Sequence, residues 1–403
     1  MSDRYEHVVI GGGISGLALA HWAQGRGVQT LVLEAEERVG GCMNSQVFPG
    51  CDDFWVEAGS HTCYNSYGHL LDLLADVGLL ERLTPKAKVS YALWRGGRRQ
   101  PILSGLHPLE LLLSLPRLLR VKKTGRSVRD FYTAILGTAN YRDLFGPAFS
   151  AVICQDADDF PAELLLRRKP RRKEVMRSFT LPQGLSEVPV KLASQTGLEV
   201  RTGQRVVQIL SVDDNFRLLL EGEQEIICHS LSLATPPDVA ASLLGSLAGK
   251  GLSNTGHDAI ASIEMQEIET LVLCVPASVL GHLPPIAGLI AVDDTFNAMV
   301  SRDYLSHEIY RGFSFHFRPG LLAAEAQRER ACAVLGIEPE AIAGMARVHN
   351  HLPALRVGQG EKAARIDAAL AGTRLAITGN WFQGVSVEDC LTRSFQECQR
   401  LFS

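Results

Sequence analysis

Between residues 8 and 34 the chain reads VVIGGGISGLALAHWAQGRGVQTLVLE, and this stretch restricts the fold more than any other. Gly11, Gly13 and Gly16 fall between an apolar run at residues 7–10 and a helical pattern at 14–26, with Leu17, Ala20 and Ala23 on its buried side. The first glycine permits a tight turn, the second lets backbone approach a pyrophosphate, and the third lets helix and strand pack closely. Residues 29–34 read as a second strand. The three pieces make a βαβ unit, so a parallel, doubly wound α/β sheet is expected. A phosphate would sit at the helix N-terminus, where free N–H groups and the positive dipole end favour anions.

Glu34 closes the second strand, at the place of a carboxylate that binds ribose hydroxyls. A carboxylate there disfavours a 2′-phosphate, which argues against NADP and leaves NAD or FAD. The residues beyond the acid favour FAD: EAEERVGG continues into Arg38, Gly40 and Gly41, and EAGSH comes at residues 57–61. A glycine pair can pass beneath a pyrophosphate, and Arg38 would offset its charge. The plainer alternative is a structural turn leading into an exposed loop.

At 403 residues the chain exceeds a single core, so two or more subdomains are expected. A net charge of -4 gives no reason to expect a nucleic-acid partner. Nine scattered cysteines without a CxxC pair read as reduced thiols, and no secretory signal or membrane span is evident, so the expected location is the cytoplasm. His349 and His351 lack further ligands nearby, and no metal is expected. Residues 67–83 read as one amphipathic helix, and Phe313, Phe315 and Phe317 alternate with Ser314, His316 and Arg318 in the period of a half-buried strand.

These residues carry a resemblance. VVIGGGISGLALA followed by LVLEAEERVGG is similar to the motif of the flavin amine oxidase superfamily, and EAGSHTCYNSYGHLLDLLADVGLLERL resembles its Glu-x-Gly-Pro segment and the helix after it. LAITGNWFQGVSVEDC resembles the C-terminal signature of the protoporphyrinogen oxidases within that superfamily. The resemblance implies a Rossmann-like FAD-binding domain of the glutathione-reductase type, an interwoven α+β substrate domain and a helical capping region. The expected FAD-binding pieces are residues 1–84, 181–262 and 365–403. The substrate domain takes 85–104 and 263–364, and the helical region 105–180.

By the same resemblance, Gly11, Gly12, Gly13, Ile14, Ser15, Gly16, Glu34 and Ala35 would hold the ADP half of a non-covalent FAD, beside Arg38 and Gly41. Val206 would lie on the adenine side, with Ala234 and Thr235 in the turn after it. Cys42, Gly59, Ser60 and His61 would approach the flavin, and Gly379, Asn380, Val385, Ser386 and Val387 would close its pocket. The sequence departs from the family at Ser60, where a proline is usual, at His61 beside it, and at Ser90, where plant-type members carry an arginine.

The implied enzyme is an FAD-dependent oxidoreductase that takes hydride from a porphyrinogen to the flavin, with oxygen or another acceptor reoxidising it. The alternatives are an amine oxidase or desaturase of another apolar substrate, and a flavoprotein that binds without turnover. Candidate substrate residues are His61, Arg98, Arg302, Arg311 and His316, and the catalytic residue is unassigned. LHPLELLLSLPRLLRVKKTGR sets Leu109, Leu112, Leu113 and Leu119 beside a basic end, and LLLRRKPRRK comes next at 164–173. The leucines are expected to cap the substrate cavity, with weak peripheral contact with anionic membranes as a further expectation. Oligomeric state is unassigned.

Overall fold

The computed structural model describes residues 3–247 and 252–403. Strand β1 (Asp3–Ile10), helix α1 (Ile14–Gln24) and strand β2 (Thr30–Leu33) form the expected unit, with β1 and β2 parallel. Glu199–Arg201 extends the sheet beyond β2, and Glu225–Leu233 lies parallel to β1 on its other side. Asn215–Leu220 and Val206–Val212 then continue antiparallel, while Leu375–Ile377 branches off as a parallel partner of Glu225–Leu233. One sheet therefore gathers strands from the first, middle and last parts of the chain, and the last helix (Val387–Phe402) packs on α1.

A second seven-stranded sheet runs in the order Gly344–Ala354, Glu264–Pro276, Tyr310–Phe317, Phe296–Ser301, Gly288–Ala291, Tyr91–Arg95 and Arg98–Pro101. Phe313, Phe315 and Phe317 fill its core under the helix Ala324–Leu335. The half-buried reading of this strand needs correction. Ser314 and His316, on the opposite face, are also buried, because the strand Phe54–Glu57 and its neighbours cover them: Ser314 Oγ donates to the Glu57 carbonyl at 2.5 Å.

The helix read over residues 67–83 is shorter. It spans Gly68–Asp76 and stops where Gly78 turns left-handed at φ +72°, before a 3-10 turn at Leu80–Arg82. Between residues 105 and 165 short helices dominate, among them Pro108–Ser114, Val128–Leu136 and Gly146–Ile153. Of the four leucines expected to cap a cavity, Leu113 lines one while Leu109, Leu112 and Leu119 do not; Leu109 and Leu113 are 77% exposed and Leu119 92%. The helix is too short to bury them, since Pro116 interrupts it and a 3-10 turn takes over at Leu115–Leu119. Among the described residues no helix is long and apolar enough to cross a membrane.

The first sheet encloses one polar side chain of note. His7 is fully buried on β1, with Nδ1 2.8 Å from Ser230 Oγ and Nε2 3.0 Å from Ser232 Oγ. Burial pushes its pKa down from 6.5 to about 3, outweighing the bond at Ser230. The unfolded chain binds this proton near pH 6.5 and the folded chain does not until about 3. The stability linked to His7 is therefore complete above pH 6.5 and is lost as pH falls toward 3, at up to about 1.4 kcal/mol per pH unit. A His7→Gln variant, which keeps polar contact with both serines, should show a shallower loss of denaturation midpoint between pH 6.5 and 4. An unchanged slope would mean that His7 does not titrate on unfolding.

Candidate functional site

The parallel strands of the first sheet all end on one edge, and the loops leaving those ends converge, as ligand sites of open α/β sheets do. Gly11 comes after β1 at φ +108°, and a side chain there would place its Cβ 2.5 Å from the Ala234 carbonyl oxygen. A Cβ on Gly16 would overlap the Gly11 carbonyl, so this position holds α1 against the strand. Gly13 is different. Its φ of −72° suits any residue, and an added Cβ meets nothing within 4 Å. Gly13 also caps α1 without any side-chain hydrogen bond, which leaves the first-turn N–H groups of Ile14, Ser15 and Gly16 for an anion. A glycine required neither by backbone strain nor by protein contacts, at an open helix N-terminus, fits a pyrophosphate.

Glu34 lies beneath this turn. Its Oε2 accepts from Gly12 N at 2.6 Å and its Oε1 from Glu36 N at 2.9 Å, so it clamps the loop while keeping lone pairs for ribose hydroxyls. Ala35 is the next residue. The N–H groups of Gln204 and Gly203 donate to the Glu34 and Glu36 carbonyls, which brings the strand starting at Val206 beside Glu34. Thr235, after Ala234, has a buried hydroxyl without a partner.

The second glycine pair crosses the first. Gly40 N donates to the Gly12 carbonyl at 2.9 Å, and a Cβ on Gly41 would sit 3.5 Å from Gly13 Cα. Arg38 donates to the carbonyls of Val39 and Gly41, so its guanidinium is engaged in part by its own loop. A Cβ on Gly59 would overlap the Cys42 carbonyl, and Ser60 N donates to that carbonyl at 2.9 Å, which docks residues 59–61 beneath Cys42. The Cys42 thiol is accessible yet deep in the molecule; burial raises its pKa, with Arg38 pulling the other way. Tyr64 and Tyr91 combine accessibility and depth in the same way, as the walls of an internal cleft do.

The C-terminal segment leaves the same edge of the sheet. Gly379 and Asn380 leave the strand Leu375–Ile377, Val385 packs against the core, and Ser386 caps the last helix from Val387 onward. Asp389 completes the cap by accepting from Ser386 N, and it also takes Lys169 Nζ at 2.7 Å and Arg167 at 3.3 Å. Part of the basic run at 164–173 is thereby tied to the loop that enters the last helix. Trp381 and Phe382 stack at 4.2 Å within the core, under Arg393, and neither frames the cleft.

Across the cleft stands a pair of histidines. His61 Nε2 and His316 Nε2 are 2.9 Å apart, and His316 Nδ1 is 3.0 Å from Thr270 Oγ1. Burial pushes His316 down to about 4, and burial, then His316 and Lys86, hold His61 below its usual range. Lys86 donates to the His61 carbonyl at 2.8 Å and to Thr62 Oγ1 at 2.6 Å, with its ammonium over the Tyr304 ring. Burial lowers its pKa to about 8, partly offset by the Glu57 carboxylate. Glu57 itself is pushed up to about 7 by burial, against bonds from Leu185 N and Ser45 Oγ. Strongly shifted groups gathered beside a cleft mark a functional site. Lys86, Thr270 and Tyr304 escaped the sequence reading, since no local motif surrounds them; Glu57 stood in the EAGSH motif without an assigned role, and only the tertiary fold joins residues 57, 86, 270 and 304.

Of the five substrate candidates, the structure brings His61 and His316 together. Arg302 is buried apart from them, 4.4 Å from the Phe54 and Trp55 rings and near Glu57. The other two arginines are corrections. Arg98 lies exposed on the hairpin at the far sheet edge. Arg311 alternates to the face opposite His316 and forms a two-bond clamp with Asp303.

A cavity of about 1100 Å³ lies between the helical region and this sheet. Its walls include Leu113, Arg117, Arg126, Gln266, Asn297 and Arg318. Gln266 stands four residues before Thr270 on one strand, and Arg318 two after His316 on the next, so the cavity continues the sheet face that carries the histidine pair.

Comparisons with known proteins agree with this architecture. The model of the flavin-containing amine oxidoreductase family matches residues 14–301. Protoporphyrinogen oxidase 2, chloroplastic/mitochondrial, of Arabidopsis thaliana is 35% identical over 107 residues, covering 26% of this chain and 20% of that protein. The matched stretch is thus about a fifth of that relative's length. Among solved structures, a protein provisionally named a protoporphyrinogen oxidase from Exiguobacterium sp. 255-15 superposes with a TM-score of 0.79 at 18% identity, covering 100% of this chain and 99% of the other. A putrescine oxidase redesigned in cofactor binding gives 0.75 at 14% identity, over 100% and 99%. A fatty acid isomerase from P. acnes that produces CLA gives 0.75 at 16%, over 99% of each chain. At these identities the likeness is one of fold.

Proposed function

This chain belongs to the flavin-containing amine oxidoreductase family, and on that premise we propose that it binds FAD without a covalent bond and oxidises a porphyrinogen. FAD, when bound, supplies a two-electron oxidant. The chain's own residues do the rest. The open N-terminus of α1 at Gly13 receives the pyrophosphate, Glu34 the ribose, and the loops at 40–42, 59–61 and 379–387 surround the flavin.

The observation that carries the choice of substrate is the cavity of about 1100 Å³ lined by Arg117, Arg126 and Arg318, on the sheet face that also bears the histidine pair farther along. A tetrapyrrole needs a wide, largely apolar slot with cations at its mouth for the propionates. The Trp381–Phe382 stack, buried away from the cleft, offers no aromatic frame for an amine. Anaerobic mixing of FAD-loaded protein with protoporphyrinogen, and separately with coproporphyrinogen, tests the reading. Bleaching of the oxidised flavin band by one of them supports it; failure of both overturns the substrate class.

Peripheral membrane contact belongs to the same proposal. Leu109, Leu112, Leu113 and Leu119 project beside exposed Arg117, Arg120 and Lys122, an arrangement that suits an anionic leaflet. Each leucine inserted contributes roughly 1.5–3 kcal/mol. Leu112→Glu with Leu113→Glu should therefore weaken co-sedimentation with phosphatidylserine vesicles by at least about tenfold, with FAD content unchanged. Equal sedimentation of variant and wild type would contradict this surface.

A further inference from the structure

The His61–His316 contact has a property that simple packing does not require. Two imidazole nitrogens 2.9 Å apart need one proton between them, donated by one ring and accepted by the other. The far nitrogen of His316 is occupied at Thr270 Oγ1, and Asn350 Nδ2 lies 3.5 Å from that same hydroxyl and 3.4 Å from the Ala58 carbonyl. His61 comes directly after the Gly59–Ser60 turn docked under Cys42 and keeps partial exposure. A directed chain of hydrogen bonds thus runs from the strands of the second sheet to a ring at the cleft.

We infer that His61 and His316 act together as the proton acceptor of this site, His61 Nδ1 taking a proton from a substrate N–H while the Nε2 proton moves onto His316. The inference rests on the proposed oxidative function, with FAD as the oxidant. In the balanced step the substrate C–H bond breaks with its electron pair leaving to FAD. The N–H of an adjoining pyrrole breaks the other way: its proton goes to His61, and its electron pair forms a C=N bond within the ring as the ring double bonds shift to give C=C at the carbon that lost hydride. The two rings then share one added proton, and Thr270 Oγ1 accepts from His316 Nδ1–H. Sharing spreads the charge over two imidazoles in a buried setting where one alone would be costly.

The surroundings oppose a proton on the resting pair. Lys86 is the cation that acts on His61; Glu57 lies near Lys86, and Arg302 and Tyr304 lie near Glu57. Lys86 repels added positive charge, so the resting pair is neutral. Adding an electron pair to a cofactor at the cleft adds negative charge there and raises the pair's affinity for a proton. The two rings titrate as a unit.

Imidazole nitrogen-15 NMR of histidine-labelled, FAD-loaded protein tests this without any substrate. Resonances are assigned with His61→Gln and His316→Gln, whose amides keep a polar group at each position. At pH 7 the oxidised protein should show both rings neutral. After photoreduction of the bound FAD, the pair should hold one extra proton seen at both rings, and each variant should lose that uptake. Two rings that stay neutral in the reduced protein from pH 6 to 9 would overturn the inference.

Kinetics give a second readout. In wild type, flavin reduction should fall as pH drops through the pair's first protonation. His61→Gln should lower the rate by about 10²–10⁴-fold, remove that acidic limb, and be partly rescued by added imidazole. An unaltered pH profile in a folded, FAD-loaded variant would also overturn the inference. Failure of every porphyrinogen to bleach the wild type would instead sink the substrate reading, with the NMR result still deciding the histidines.

Discussion

A Gly13→Asp variant is expected to move stability and cofactor binding in opposite directions. Gly13 sits at the N-cap of α1 with φ −72°, and a Cβ there meets no protein atom within 4 Å. Aspartate is among the best N-cap residues, and its charge suits the helix dipole, so the apoprotein should unfold at or slightly above the wild-type temperature. The same carboxylate would occupy the space assigned to the pyrophosphate and repel it, lowering FAD affinity by more than about 100-fold, or roughly 2.7 kcal/mol. Gly16→Ala makes the contrast. Its Cβ would overlap the Gly11 carbonyl, so the apoprotein itself should lose about 1–3 kcal/mol. Thermal unfolding with and without FAD separates the two. An apo Gly13→Asp protein that binds FAD normally would refute the assignment of this turn.

Arg393→Ala should be the most damaging single change to stability among the last helix's residues. Arg393 is almost wholly buried: Nε donates to the Ile377 carbonyl at 3.0 Å, Nη1 to Asp367 at 2.6 Å, and Nη2 lies 3.1 Å from Glu397. Its guanidinium also lies 4.0 Å over the Phe382 ring. Truncation strands the buried Glu397 with one remaining partner, Arg400, and removes support from the 379–387 loop. Breaking such a pair costs about 3–5 kcal/mol, and retained Arg400 places this case toward the lower end. Urea unfolding measures it, and FAD affinity should fall as well because the loop loses its backing. A loss under about 1 kcal/mol would mean that the cluster relaxes freely.

The legible part of this protein was the part written in contiguous residues. The turn at 11–16, the acid at 34 and the glycines at 40–41 stand within one βαβ unit, and local spacing dictates how they meet. The C-terminal motif was legible for the same reason, since Ser386 and Asp389 form a capping box within one helical turn. Longer-range facts were not. Period-two alternation at Phe313–Phe317 places three aromatics on one face, but it is silent on what covers the other; the buried Ser314 and His316 depend on a strand more than 250 residues earlier. Leu109–Leu119 carries enough apolar residues for a cap, yet a proline and a short helix leave Leu109, Leu112 and Leu119 outward, with Leu113 at the cavity wall. Arg311 and Arg98 looked alike as cations, and only pairing with Asp303 in one case and a hairpin edge in the other tells them apart. Lys86 and Glu57 acquire their shifted ionisation from burial, which no local pattern encodes.

The most direct measurement is a titration of purified apoprotein with FAD by absorbance and calorimetry, and then acid precipitation. Saturation at one FAD per chain, a raised unfolding temperature and complete release of the flavin into the supernatant are the expected results. No saturable binding of FAD, or tight binding of NAD in its place, would contradict the claim that both ends of the chain close around a flavin.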